Sequence, residues 1–156
     1  MRRKLVAGNW KMNGSRASLV ELDAIAAAAD QAPTVDVAVA VPFTLISPAA
    51  ERVPGLAIGA EDIHEAESGA HTGCVSASMV EEAGASFTIV GHSERRTDQG
   101  ETSHDAWAKA AAAHRHGLSV ILCCGETEAE RDAGRAERVV QAQIEKSVPD
   151  LSLIHI

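Results

Sequence analysis

Five short runs of branched or small apolar residues, each followed by a longer stretch with helical spacing, constrain this chain more than anything else in it. The runs are Leu5–Gly8, Val35–Val41, Leu56–Gly59, Phe87–Val90 and Leu118–Cys123. Between them, Ser15 is a good N-cap, and Leu19, Leu22, Ile25, Ala26 and Ala29 follow it at helical spacing. Ile46–Arg52 reads as a short helix closed by Pro54-Gly55, and Val75–Ala83 as a helix stopped by Gly84. Thr102–His116 reads as a helix stopped by Gly117, and Ala129–Lys146 as a charged amphipathic helix. Strands that alternate with helices imply a parallel sheet with crossover connections. The strand runs carry little polar alternation, the pattern of strands covered on both faces. An open doubly wound sheet and a (β/α) barrel both fit. A complete eight-unit barrel needs ~250 residues, whereas five units at roughly 30 residues each already fill the 156 residues present.

Composition narrows the partners. A hydrophobic content of 46% supports a core, but aromatics make up only 3%, so Ala, Val, Leu and Ile must fill it. The net charge of -8 argues against nucleic acid or an anionic membrane surface as the main partner. It does not argue against a small anionic substrate held by local cations. Cys74, Cys123 and Cys124 form neither a disulfide framework nor a metal-ligand spacing, and read as reduced thiols of a cytoplasmic protein. The basic start Met1–Lys4 is followed by an apolar run too short for a signal core. No run approaches the ~18 apolar residues of a membrane span.

The residues able to do chemistry sit just past strand ends. Asn9 and Lys11 follow the first strand, and Glu126 follows the fifth in Cys123-Cys124-Gly125-Glu126-Thr127. The octapeptide Ile89-Val90-Gly91-His92-Ser93-Glu94-Arg95-Arg96 ends a strand, turns at a glycine and opens a helix, which sets an imidazole at the strand–helix junction. In a parallel barrel these ends share one rim, where active sites form. A lysine, an amide and a neutral imidazole converging there suit a small anionic carbonyl compound. Each residue also has an ordinary reading: Lys11 as a solvated loop residue, His92 as a helix cap or surface residue, and Glu94-Arg95-Arg96 as a solvated charge cluster. The residues alone give a site for an anion and a carbonyl, not a reaction.

Four stretches, in order, resemble the triosephosphate isomerase family: Gly8-Asn9-Trp10-Lys11-Met12-Asn13, Gly69-Ala70-His71-Thr72-Gly73 with Val75-Ser76, Gly91-His92-Ser93-Glu94-Arg95-Arg96, and Cys123-Cys124-Gly125-Glu126 with Glu130-Arg131. The resemblance covers about 150 residues. It implies a partial (β/α)8 barrel, five of eight strand–helix units, and the interconversion of dihydroxyacetone phosphate and glyceraldehyde 3-phosphate in glycolysis and gluconeogenesis. No metal or organic cofactor is implied. Asn9 and Lys11 match the substrate-binding pair, and Lys11, His92 and Glu94 the catalytic set. His92 stands as the electrophile that polarises the carbonyl and passes protons between the enediolate oxygens. Glu126 matches a supporting residue. The loop from His64 to Cys74, with Thr72 at its tip, matches the segment that reaches a partner subunit, so a homodimer with Arg95 at its interface is implied. Two positions depart from the family: Cys74 stands where an acidic partner of that arginine is usual, and Glu61 where glutamine is usual.

The family's general base, a glutamate, ends a sixth strand, and Gly-rich phosphate loops follow it. The resembling stretch gives an expected incomplete barrel domain over residues 1–150. Residues 151–156, Leu-Ser-Leu-Ile-His-Ile, read instead like the translation of a sequencing adapter. We therefore expect a non-native tail on an interrupted gene, and little activity from the 156 residues alone. The alternative is a non-catalytic half-barrel that serves as a binding or assembly module. A long read of the source DNA across the codons for Pro149 and Asp150 separates them. A frame continuing for roughly a hundred residues, with a strand ending in Glu and then Gly-rich loops, is the expected result. A stop codon after Ile156 leaves the module.

Overall fold

A computed structural model describes residues 3–149. Among them, five strands form one parallel sheet in the order β1-β2-β3-β4-β5: β1 Lys4–Asn9, β2 Val35–Val41, β3 Ala57–Ala60, β4 Phe87–Val90 and β5 Ser119–Leu122. Each strand pairs in register with the next, as in Val6 with Val37, Val39 with Ile58, Gly59 with Phe87 and Ile89 with Ile121. A doubly wound sheet reverses its strand order at a switch point. This sheet never reverses, so the alternative left open by the sequence closes in favour of the curled half-barrel. The expected tail at 151–156 lies outside the described residues.

The helices are α1 Glu21–Asp30, α2 Ile46–Arg52, α3 Ala77–Glu82, α4 Ser93–Asp98, α5 Ser103–Arg115, α6 Glu128–Asp132 and α7 Ala136–Ser147. Their starts follow the capping chemistry of the sequence. Ser76 Oγ accepts the Met79 N–H to open α3. Thr102 and Asp105 form a reciprocal capping box at α5, and Thr127 and Glu130 another at α6. Ser15 caps a 3-10 turn, Arg16–Val20, that leads into α1. One expectation fails: Ala129–Lys146 is two helices. Gly134 adopts φ +67, its N–H and that of Arg135 close back on the Arg131 and Glu130 carbonyls, and the chain restarts at Ala136. That is a left-handed helix stop, which glycine adopts at low steric cost.

The two sheet faces pack differently. The outer face sets Val39, Val41, Ile58, Ala60 and Val90 in one core with Leu22, Ile46, Ala49, Val80, Ala110 and Ala113 of the helices. The inner face is a smaller cluster of Ala38, Ala40, Phe87 and Ile89, with Ala57, Ile121 and Cys123 against it. The coverage on both faces expected of every strand holds for β4, for β3 and for the second half of β2, is only partial for β5, and fails for β1. Lys4 through Gly8 are all exposed, with Leu5 at 55% and Val6 at 59%. Among the described residues β1 has β2 as its only strand neighbour, and Leu5 and Val6, on opposite faces of the strand, belong to neither core.

The inner cluster depends on Gly59. A Cβ there would meet the Phe87 ring at 2.4 Å. Gly59→Ala is therefore expected to destabilise the fold by roughly 1–3 kcal/mol through overpacking. Urea denaturation checks this. Combining it with Phe87→Leu should recover part of the loss, because the clash is with the ring itself.

Candidate functional site

The C-terminal ends of β1, β2, β3 and β4 and the loops that follow them enclose a cleft of about 260 Å3, lined by Asn9, Lys11, Met12, Pro42, Phe43, Glu61, Asp62, His92, Glu94 and Arg95. The β1 loop is fixed by its own amides. Asn9 Oδ1 accepts the Lys11 N–H at 3.0 Å, Asn13 Nδ2 donates to the Trp10 carbonyl at 2.8 Å, and the Asn13 N–H closes on the Lys11 carbonyl at 2.7 Å. These bonds hold Lys11 at φ +55, among the described residues the one non-glycine with positive φ. Such a conformation costs about 1–3 kcal/mol and persists only where the surroundings enforce it. The result is a lysine aimed at Glu94, with Nζ 2.7 Å from Oε1. That hydrogen bond holds the exposed Glu94 carboxyl below the usual carboxylate range.

Gly91, at φ +68, makes the turn from β4, and His92 is the N-cap of α4. His92 Nδ1 accepts the Glu94 N–H at 3.3 Å. An imidazole nitrogen that accepts carries no proton, so in the neutral ring the proton lies on Nε2. Glu94 Oε2 stands 3.4 Å from the same Nδ1. Asn9, Lys11, His92 and Glu94, singled out in the sequence, are thus brought together. Thr72 is not: it lies exposed on the loop between His64 and Ser76, outside the cleft. Glu126 lines a separate, larger cavity beside His92 and pairs with Arg131 at 2.7 Å. Arg95 lines the cleft but spends its charge within the chain, on Asp62 at 3.0 Å and Glu101 at 2.8 Å.

Sequence reasoning missed the charges beneath the cleft. Lys109 is only 6% exposed, and its ammonium lies 2.8 Å from Asp62 and 2.6 Å from Glu101. Burial raises the Asp62 carboxyl, against the pull of Lys109 and Arg95. Burial also pushes Glu101 upward, but hydrogen bonds from Lys109 and Arg95 bring it below its ordinary range. One signal was available: Lys109 interrupts the buried alanine face of α5 formed by Ala106, Ala110 and Ala113. A charge on such a face is rarely buried unless paired. Among the described residues no group of three or more His, Cys, Asp or Glu side chains is placed to hold a metal ion, and no helix is long and apolar enough to cross a membrane.

Fold and site together define a (β/α)-barrel chain with a cationic and imidazole site on the C-terminal rim of its sheet. The family model described as triosephosphate isomerase matches residues 4–155, and the chain belongs to that family. It is 56% identical over 151 residues to the triosephosphate isomerase of Afipia carboxidovorans, covering 95% of this chain and 60% of the relative. It is 53% identical to that of Dinoroseobacter shibae, covering 96% of this chain and 61% of the relative. The crystal structure of triosephosphate isomerase from Bartonella henselae superposes with a TM-score of 0.92 at 43% identity, over 96% of this chain and 63% of that one. The chain thus spans about three fifths of the length of these relatives.

Glu61 gives the fold a pH-dependent contribution to stability. Its Oε1 is buried without a hydrogen-bond partner, and burial raises the carboxyl from 4.5 to about 7; the Lys11 backbone N–H opposes the rise and the Glu94 charge adds to it. Below its unfolded value Glu61 is protonated in both folded and unfolded states. Between that value and about 7 the folded state holds a proton the unfolded state has lost, so stability falls as pH rises. Glutamine reproduces the neutral form. Glu61→Gln is expected to stabilise the fold above about pH 7 by roughly 1–2 kcal/mol, discounted for partial exposure, with the gain vanishing toward acid. Melting temperatures of the two proteins across this range check the sign.

Proposed function

We propose that the protein carrying this chain interconverts dihydroxyacetone phosphate and glyceraldehyde 3-phosphate, as a homodimer in the cytoplasm. The observation that carries the reading is the convergence of Lys11, His92 and Glu94 on one cleft at the strand ends, with the Lys11 ammonium 2.7 Å from Glu94 and the imidazole Nδ1 occupied by a backbone N–H. The Nε2 proton of a neutral His92 is then free to donate to a carbonyl oxygen. It stabilises the oxygen on which charge develops as the substrate enolises, and passes protons between the two enediolate oxygens. Lys11, preset by its strained turn, offsets the negative charge of phosphate and enediolate, and Asn9 holds that turn in place. Glu94 holds the Lys11 ammonium at 2.7 Å in the cleft. The carboxylate that removes the substrate proton belongs, by family likeness, beyond the five strands described.

Thr72 and the exposed loop around it, with Arg95, would meet the partner subunit. The loop is tied to its own chain by Glu67, which accepts from Arg115 at 3.3 Å and lies 2.6 Å from His116 Nε2.

In the protein carrying this segment, His92→Gln is expected to lower kcat by about 10²–10⁴-fold, the usual contribution of a positioned proton-transfer group. The circular dichroism spectrum should be unchanged. Turnover near that of the unsubstituted protein would overturn the role of His92.

A further inference from the structure

The peptide of Gly91, immediately before His92, is gripped at both ends by side chains from outside the β4–α4 turn's own backbone. Its N–H donates to Glu101 Oε1 at 3.1 Å, and its carbonyl accepts Arg96 Nε at 2.8 Å. Neither gripping group is free to wander. Glu101 is 4% exposed, and its other oxygen receives Lys109 Nζ at 2.6 Å and Arg95 Nε at 2.8 Å. Arg96 spreads its remaining nitrogens over Ser103 Oγ at 3.1 Å and the Cys123 carbonyl at 3.2 Å, which ties the turn to α5 and to the end of β5. Gly91 is buried at φ +68, and a Cβ there would lie 2.8 Å from Arg96 and 3.1 Å from both Ala106 and the Cys123 carbonyl. The turn therefore has one stance, and His92 leaves it with its ring aimed by that stance.

We propose that Glu101 and Arg96 are positioning residues for His92, acting through the two ends of the Gly91 peptide. Neither lines the cleft beside Asn9 and Lys11, although Arg96 shares with His92 the lining of the larger cavity that holds Glu126. Their effect is to fix the backbone from which the imidazole projects, so that Nδ1 stays on the Glu94 N–H and the proton stays on Nε2. Removing the carboxylate would leave a buried N–H short of a strong acceptor and release one end of the clamp. Asp62 supplies an internal control, because it shares the same cations, Lys109 and Arg95, but is not bonded to Gly91.

The inference rests on reading His92 as the electrophile, and its test is independent of turnover. The ring nitrogens of His92 are observed by NMR in the protein carrying this segment, labelled with 15N-histidine, in the unsubstituted form and in Glu101→Gln, Arg96→Lys and Asp62→Asn. The expected result is a fixed Nε2–H tautomer in the unsubstituted chain and in Asp62→Asn. In Glu101→Gln and Arg96→Lys the separate nitrogen shifts should collapse toward the tautomer average. If Glu101→Gln does not fold, Arg96→Lys decides alone. A fixed tautomer in both clamp variants overturns the proposal, as does equal collapse in Asp62→Asn, which would mark general loosening. Normal turnover in His92→Gln would sink the electrophile reading and leave the clamp standing.

Discussion

Two cations and two carboxylates, Arg95, Lys109, Asp62 and Glu101, meet beneath the cleft, and much of the rim is organised around them. Lys109 comes from α5, Asp62 from the end of β3, Arg95 from α4 and Glu101 from the link between α4 and α5. Charges this buried add little net stability, because desolvation consumes most of the Coulomb gain. What they contribute is direction. Lys109 can satisfy both carboxylates only if α5 sits at one height against β3 and β4. With its second oxygen committed to Lys109 and Arg95, Glu101 has its first left for the Gly91 N–H. A hydrophobic replacement of Lys109 would leave the two acids sharing Arg95 but without the buried ammonium between them.

The sheet meets a different constraint. With few aromatic residues to fill it, the inner face is built from alanine, glycine, the isoleucines Ile89 and Ile121 and one large ring, Phe87. That ring occupies the space a side chain at Gly59 would need, so the interior of β3 and β4 is settled by one aromatic and one absence. The outer face has no such economy: the helices supply leucine, isoleucine and valine, and the core there is larger. β1 stands apart from both arrangements. It keeps its pairing to β2 and carries Asn9 to the rim, yet its Leu5 and Val6 pack against neither core.

How far these features could be read from the sequence depends on how local their causes are. Val35–Val41, Ile46–Arg52 and Phe87–Val90 coincide with β2, α2 and β4 residue for residue, because each is bounded by its own stop signals. Ala129–Lys146 misled because amphipathic spacing runs on through Gly134, and only the local backbone shows that this glycine ends one helix and precedes another. The rim address of Asn9, Lys11 and His92 was legible from strand ends alone, whereas Glu94 came from the family likeness and Glu126, read from the fifth strand end, lines a different cavity. The pairing of Lys109 with Asp62, 47 positions apart, was not, since no periodicity links a helix residue to a strand end. Nor was the strain at Lys11, which arises from the Asn9 and Asn13 side chains closing on a turn whose shape the sequence does not print.

His92 shows why an ordinary structural role and a chemical one need not compete. A histidine after a strand is commonly a helix cap, and here it is one: Nδ1 accepts the Glu94 N–H at the start of α4. That cap is what fixes the tautomer. A nitrogen engaged as an acceptor cannot hold the proton, so the neutral ring presents it on the opposite nitrogen for as long as that contact is held. Protonating the ring would place a hydrogen on Nδ1 against the Glu94 N–H, and the cap would be lost unless the ring turned to Glu94 Oε2, 3.4 Å away. The start of α4 and the Nε2–H tautomer of the neutral ring therefore depend on one contact. Any substitution that disturbs the first turn of α4 disturbs the proton on His92 as well, whether or not it touches the ring.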